Sequence, residues 1–159
     1  MKKFVIAAVA VALSSGSAYA ATANGTATAT VVAPLTLTHT PLAKLDFGTF
    51  SAGAGGTVTV NAAGSGSSSG GVVFLLGNLN ASDAFTVAGD GTRAYTIATA
   101  PSTVTSGAFN MAFTTTPSAT SANLVAGAGA FTVGGALTVG PAQAPGVYAG
   151  TYVATVNYQ

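Results

Sequence analysis

Few residues in this 159-residue chain can do acid–base or metal chemistry: one histidine, His39, three aspartates, Asp46, Asp83 and Asp90, and no cysteine or glutamate. A zinc site gathers several imidazole, thiolate or carboxylate ligands, and one histidine with scattered aspartates does not supply them within one copy. Glycoside hydrolysis by paired carboxylates is equally poorly served. His39 and abundant serines allow a Ser-His-Asp arrangement on paper, but no serine sits in a Gly-x-Ser-x-Gly elbow between a strand and a helix: the matching run Gly64-Ser-Gly-Ser lacks that context. His39, between Thr38 and Thr40-Pro41, reads as a polar turn after a strand. Asp46, Asp83 and Asp90 read as turn and strand-end residues, with Gly89-Asp-Gly91 a turn by composition. The glycine-rich stretches lack the lysine and following helix of a phosphate loop. The expectation is no catalytic residue, no cofactor and no metal: not an enzyme.

Residues 1–20 read as a secretory signal peptide. Lys2 and Lys3 precede an apolar run from Phe4 to Leu13, and Ala18-Tyr19-Ala20 is a small-x-small cleavage site before Ala21. Cleavage between Ala20 and Ala21 leaves Lys44 and Arg93 against three aspartates, a formal charge of −1. Two cations cannot build a basic patch, so nucleic acid is not an expected partner. Export leads to an oxidising compartment, but without cysteine no disulfide forms there. Asn24-Gly-Thr26 and Asn80-Ala-Ser82 match the glycosylation sequon, and surface turns explain both.

The elements that would position any site are strands. Period-two alternation recurs at 35–37, 57–60, 84–87, 94–97, 109–113, 130–133, 136–139 and along the C-terminal stretch. Glycine-rich breakers separate these runs, among them 53–56, 89–91 and Gly134-Gly135, and 64–71 reads as a flexible loop within one domain. Short β-branched strands near ten residues apart predict an all-β sandwich or barrel. Val72-Val-Phe-Leu-Leu76 is apolar without alternation, which predicts a strand buried on both faces.

The two ends carry the sharpest patterns. Ala23, Gly25, Ala27, Ala29 and Val31 share one face of an extended chain, and Thr22 to Thr30 in even places the other. Pro34 lacks an amide donor and marks a break, so an extension at 21–32 precedes a first domain strand near 35–38. An extension with one apolar face and no place in its own fold must pair elsewhere or aggregate. At the other end Tyr148, Gly150, Tyr152, Ala154, Val156 and Tyr158 share one face of a strand expected to run unbroken to the end of the chain.

These patterns resemble subunits of chaperone–usher pili and, over most of the exported chain, an uncharacterised family of secreted bacterial pilin-like domains. Gly146, fourteenth from the end, and the penultimate Tyr158 stand where such pilins carry a glycine and a tyrosine. Gly25 stands second in an alternation that resembles the pilin N-terminal extension. Leu45-Asp-Phe-Gly48 and Val156-Asn-Tyr-Gln159 are similar to recurrent motifs of the uncharacterised family.

The resemblance implies an incomplete immunoglobulin-like β-sandwich over 34–159, completed by donor-strand exchange with the 21–33 extension of another copy. It also implies two successive partners for the C-terminal strand: a periplasmic chaperone pairs with it first and the neighbouring subunit's extension afterwards, with an outer-membrane usher as the export partner. The expected function is a structural subunit of a cell-surface fibre serving adhesion or biofilm formation. The alternatives are a secreted monomeric adhesin or carbohydrate-binding module and a small outer-membrane β-barrel. The chain departs from many pilins in having no disulfide and an extension built mostly of alanine.

Overall fold

The structure, a computed structural model, describes residues 20–159, so the leader expected at 1–20 lies outside the described residues except for Ala20. Residues 20–31 fall in a first unit, with no helix or strand and every residue exposed. Val32–Gln159 form the second unit, described by itself below.

Alternating β-branched and small residues make this unit all-β and antiparallel, as expected, with twelve strands among the described residues. They are β1 (Thr36–His39), β2 (Phe50–Ser51), β3 (Gly56–Val60), β4 (Gly66–Gly70), β5 (Val73–Phe74) and β6 (Asp83–Ala88), followed by β7 (Ala94–Thr99), β8 (Ser102–Ser106), β9 (Phe109–Pro117), β10 (Ser121–Asn123), β11 (Ala128–Val139) and β12 (Ala154–Tyr158). The large sheet runs β1-β6-β11-β3-β4, with β9 pairing both β11 and β8, and curls into a half-barrel. A three-stranded sheet runs β10-β7-β12, and β2 pairs β5.

Alternation places the core. Val58, Val60, Phe113, Met111, Leu137 and Val139 point inward with Phe47 and Val72 in one buried cluster. Val87, Tyr95, Ile97, Leu124, Phe131 and Val133 form a second. Tyr152, half-buried, packs against both. Its ring stands edge-on to Phe85 and to Phe113, with centroids 6.2 Å apart in each case. Each fully buried Val, Leu or Phe stabilises the fold by about 1.5–3 kcal/mol through loss of apolar surface from water.

Four sequence expectations are corrected. Residues 130–139 are one strand, β11, rather than two. Gly134 and Gly135 do not break it: a Cβ on Gly134 would strike the Val60 carbonyl, and one on Gly135 the Thr114 carbonyl. Glycine there lets β11 lie against β3 and β9 at once. The 64–71 stretch is not a loop throughout, because Gly66–Gly70 is the edge strand β4, fully exposed and paired to β3 by main-chain bonds alone. Residues 72–76 are not a doubly buried strand: only Val73–Phe74 is strand, and Val73, Leu75 and Leu76 are exposed. Its partner β2 has two residues, too short to build layers on both faces. Finally, the C-terminal strand is not continuous. Ala149 bridges Thr105, and regular pairing resumes only at Ala154.

Candidate functional site: an open edge between the two ends of the domain

The C-terminal stretch meets the sheet on one side only. Ala100 N–H donates to Val153 O, and Gln159 N–H donates to Ala94 O. In an antiparallel pair this phase alternates, so Thr155, Asn157 and Gln159 exchange bonds with β7. The main-chain groups of Ala154, Val156 and Tyr158 therefore face away from β7, and β12 pairs with no other strand among the described residues. Earlier in the stretch Thr105 and Ala149 exchange two bonds, of 2.8 and 3.0 Å, leaving Tyr148 and Gly150 turned the same way as Tyr152.

β1 is open by the same reasoning. Thr40 N–H donates to Ala84 O at 3.0 Å, so Thr36 and Thr38 bond to β6 while Leu37 and His39 turn their main-chain groups outward. Leu35 and Leu37 on this side, and Tyr152, Ala154, Val156 and Tyr158 on the other, are half-buried against the same core cluster. Two unpaired edges thus flank one strip of half-covered apolar side chains.

Between residues 44–52 and 143–150 the opening widens into a groove of about 870 Å³ whose floor includes Phe47, Val104, Met111 and Leu137. A second hollow of about 380 Å³ shares Lys44, Leu45, Phe47, Val104 and Gly150 with it and reaches His39, Asp83 and Tyr152.

Two side-chain bridges set the opening. Asp83, 5% exposed, is the buried charge of the described residues. Its Oδ1 accepts from His39 Nε2–H at 2.6 Å and from Ala84 N–H at 2.8 Å, and its Oδ2 from Tyr152 O–H at 2.8 Å. His39 is therefore the last residue of β1 and a buried carboxylate's partner, not a free turn residue. Burial first, then the hydrogen bond and charge of Asp83, push the Tyr152 phenol well above its ordinary range. With all three donors engaged, this carboxylate holds β1, β6 and the C-terminal stretch together rather than presenting a free base. The second bridge is Tyr158. Its hydroxyl accepts from Asp90 N–H at 2.7 Å and donates to Ala33 O at 3.0 Å.

The Leu45-Asp-Phe-Gly48 motif forms one rim. Gly48 has φ of +78°, and a Cβ there would overlap the Asn78 side chain and crowd the Leu79 carbonyl, so the turn requires glycine. Asp46 accepts from Gly48 N–H at 2.8 Å and pairs with Lys44 at 2.7 Å. Burial alone would push the Asp46 carboxyl up, but the Lys44 ammonium and the Gly48 N–H together hold it below its ordinary value. Asn80, one of the two sequon asparagines, spends its amide locally: Nδ2–H donates to Phe47 O at 2.7 Å, and Oδ1 accepts from Asn78 at 2.6 Å.

Of the site residues read from sequence, Tyr148 and Gly150 line the wider groove, Tyr152 lines the smaller hollow, and Tyr152, Ala154, Val156 and Tyr158 lie half-buried against one core cluster. The apolar exceptions Val147 and Val153 point outward, exposed by 90% and 64%. Gly146 lines the wider groove, and Gly150 lies against the Thr103 carbonyl, where a Cβ has no room. The extension residues Ala23, Gly25, Ala27, Ala29 and Val31 are exposed and form no strand. Asp83, His39 and the Ala33 carbonyl are members that sequence reading missed. No local pattern marks them, because their partners lie far away in the chain. Among the described residues no group of three or more metal-ligating side chains occurs, and no helix is long and apolar enough to cross a membrane.

A family model described as a domain of unknown function (DUF4402) matches residues 35–158. Comparison with curated proteins and with solved structures gave no match.

Proposed function

The chain belongs to the DUF4402 family of domains of unknown function, and from that premise we propose that it is a structural subunit of an extracellular fibre. Residues 21–32 of one copy form the strand that fills the opening of the next. On this reading the domain is an immunoglobulin-like sandwich short of one strand. Export through the inner membrane, a periplasmic chaperone on the C-terminal edge and an outer-membrane usher belong to the same proposal, as does a role of the fibre in adhesion or biofilm formation.

One observation carries it. The chain holds both an unpaired edge, β12 facing the equally unpaired β1 over half-buried apolar side chains, and an exposed segment that alternates apolar and polar residues without a partner. Edges of this kind are templates for added strands. The extension's alanines contribute little area, a few kcal/mol at about 25 cal/mol per Å², so the main-chain ladder must supply much of the hold. Deletion of residues 21–32 tests the proposal. The expected product is an exported, folded domain that remains monomeric, and fibres of ordinary length from the deleted protein would refute it.

A further inference from the structure

A tethered strand meets its own domain far more often than another copy's. A short flexible tether gives an effective concentration on the order of millimolar, against micromolar subunits, so self-insertion would win by about a thousandfold unless something opposes it. The root of the extension is where opposition can act.

Val32 is followed by Ala33, and the Ala33 carbonyl accepts from the Tyr158 hydroxyl at 3.0 Å. The same hydroxyl accepts from the Asp90 N–H at 2.7 Å, so it is held by two partners. The extension therefore leaves the domain at the Tyr158 end of the open edge. A strand added antiparallel to that edge must have its own Val31 at the opposite end, beside Tyr148. Ten residues of chain separate those ends, at most about 33 Å at 3.3 Å per residue. The chain's own Val31, two residues from Ala33, cannot be there.

Parallel self-insertion remains geometrically open, but the extension would have to fold back past the clamped Tyr158 ring. Parallel pairing is also slightly weaker per residue.

We propose, resting on the donor-strand reading above, that the exit of the extension at the Tyr158 end, held there by the Tyr158–Ala33 clasp, makes strand exchange intermolecular: the chain's own extension cannot reach across its opening, which is left to a second copy. The polarity follows. The incoming copy's domain sits at the Tyr148 end, while the receiving copy's extension leaves from the Tyr158 end. Each subunit then uses different surfaces as donor and acceptor, and copies add head to tail without closing.

The experiment uses the full exported chain and a labelled synthetic peptide of residues 21–32. Tyr158→Phe keeps the ring and removes both hydroxyl contacts. A second variant leaves Tyr158 intact and inserts a Gly/Ser linker of about 15 residues between Val32 and Ala33, long enough to reach the far end. For the parent, polymer forms and the remaining monomer takes up peptide. Both variants are expected to show a several-fold larger monomer fraction that takes up no peptide and whose share does not change with protein concentration. Polymer and peptide uptake equal to the parent in either folded variant would overturn the proposal. If Tyr158→Phe fails to fold, the linker variant decides alone. A parent that neither polymerises nor binds peptide would instead remove the donor-strand reading itself.

Discussion

Tyr152 O–H donates to Asp83 Oδ2 at 2.8 Å while His39 Nε2–H donates to Oδ1 at 2.6 Å. One buried carboxylate thereby joins β1 to the C-terminal stretch just ahead of β12. Tyr152 has a second task, since its ring also joins the two core clusters. Both walls of the proposed acceptor site are thus tied to the interior, and the site is preorganised rather than loose.

Stability should fall in alkali because of this phenol. Its folded-state pKa is raised above the ordinary 10.0, so the native state keeps a proton that the unfolded chain releases. The contribution is whole below about pH 10 and drains away as the pH climbs above it. Burial raises Tyr95 as well, so Tyr152→Phe should remove part of the alkaline slope and leave the rest. Urea unfolding between about pH 8 and 11 measures it, and identical slopes in parent and variant would contradict the assignment.

Asp83→Ala should be among the costlier single changes. It strands the donors of His39, Ala84 and Tyr152. A loss of about 3 kcal/mol is expected, and Asp83→Asn should lose less because one acceptor oxygen remains. Chemical denaturation gives the number; a loss below about 1 kcal/mol would show the bridge to be incidental.

Gly25→Leu should stop polymer formation without changing monomer yield. A Cβ at Gly25 meets nothing within 4 Å in its own chain, so the subunit itself has no reason to suffer. Any intolerance must come from a partner surface with no room for the side chain. Polymer of ordinary length from this variant, measured by sedimentation, would mean that Gly25 does not sit in a tight contact.

Tyr158→Asp should abolish the fibre and lower the amount of exported protein. It replaces a half-buried ring with a carboxylate among apolar side chains, at a cost of several kcal/mol, on the order of an unpaired buried polar group. It also removes the contacts to Asp90 and Ala33. Gln159→Ala, at an exposed position, should be tolerated. Immunoblots of exported protein separate the two, and normal accumulation and assembly of Tyr158→Asp would leave the C-terminal edge without a role.

Acid should act through the groove rim. The Asp46 carboxyl lies below its ordinary 3.8, so its pairing contributes above that value and is lost as the pH falls through the folded-state value. Lys44→Ala should weaken this acid-side contribution and leave the part supplied by the Gly48 N–H, which would be read as a flatter stability profile below about pH 4; an unchanged profile would argue that the exposed pair is inert.

What the sequence by itself determined is whatever repeats at short range. Alternation with a period of two made the chain all-β, put Tyr152, Ala154, Val156 and Tyr158 on one face, and singled out 21–32 as patterned like a strand. Side-chain direction in a strand is a local property, so it can be read from neighbours. Tertiary structure decided the rest. Gly134-Gly135 looked like a break until β3 and β9 closed on β11 from both sides. Gly66–Gly70 looked like a loop because its order comes from main-chain bonds to β3, which leave no mark on residue type. The pairing of Asp83 with His39 and Tyr152, and of Tyr158 with Ala33, joins residues far apart in sequence. Such contacts exist only after the sheets have packed, because a carboxylate or a phenol finds its partner by position in space and not by its neighbours in the chain.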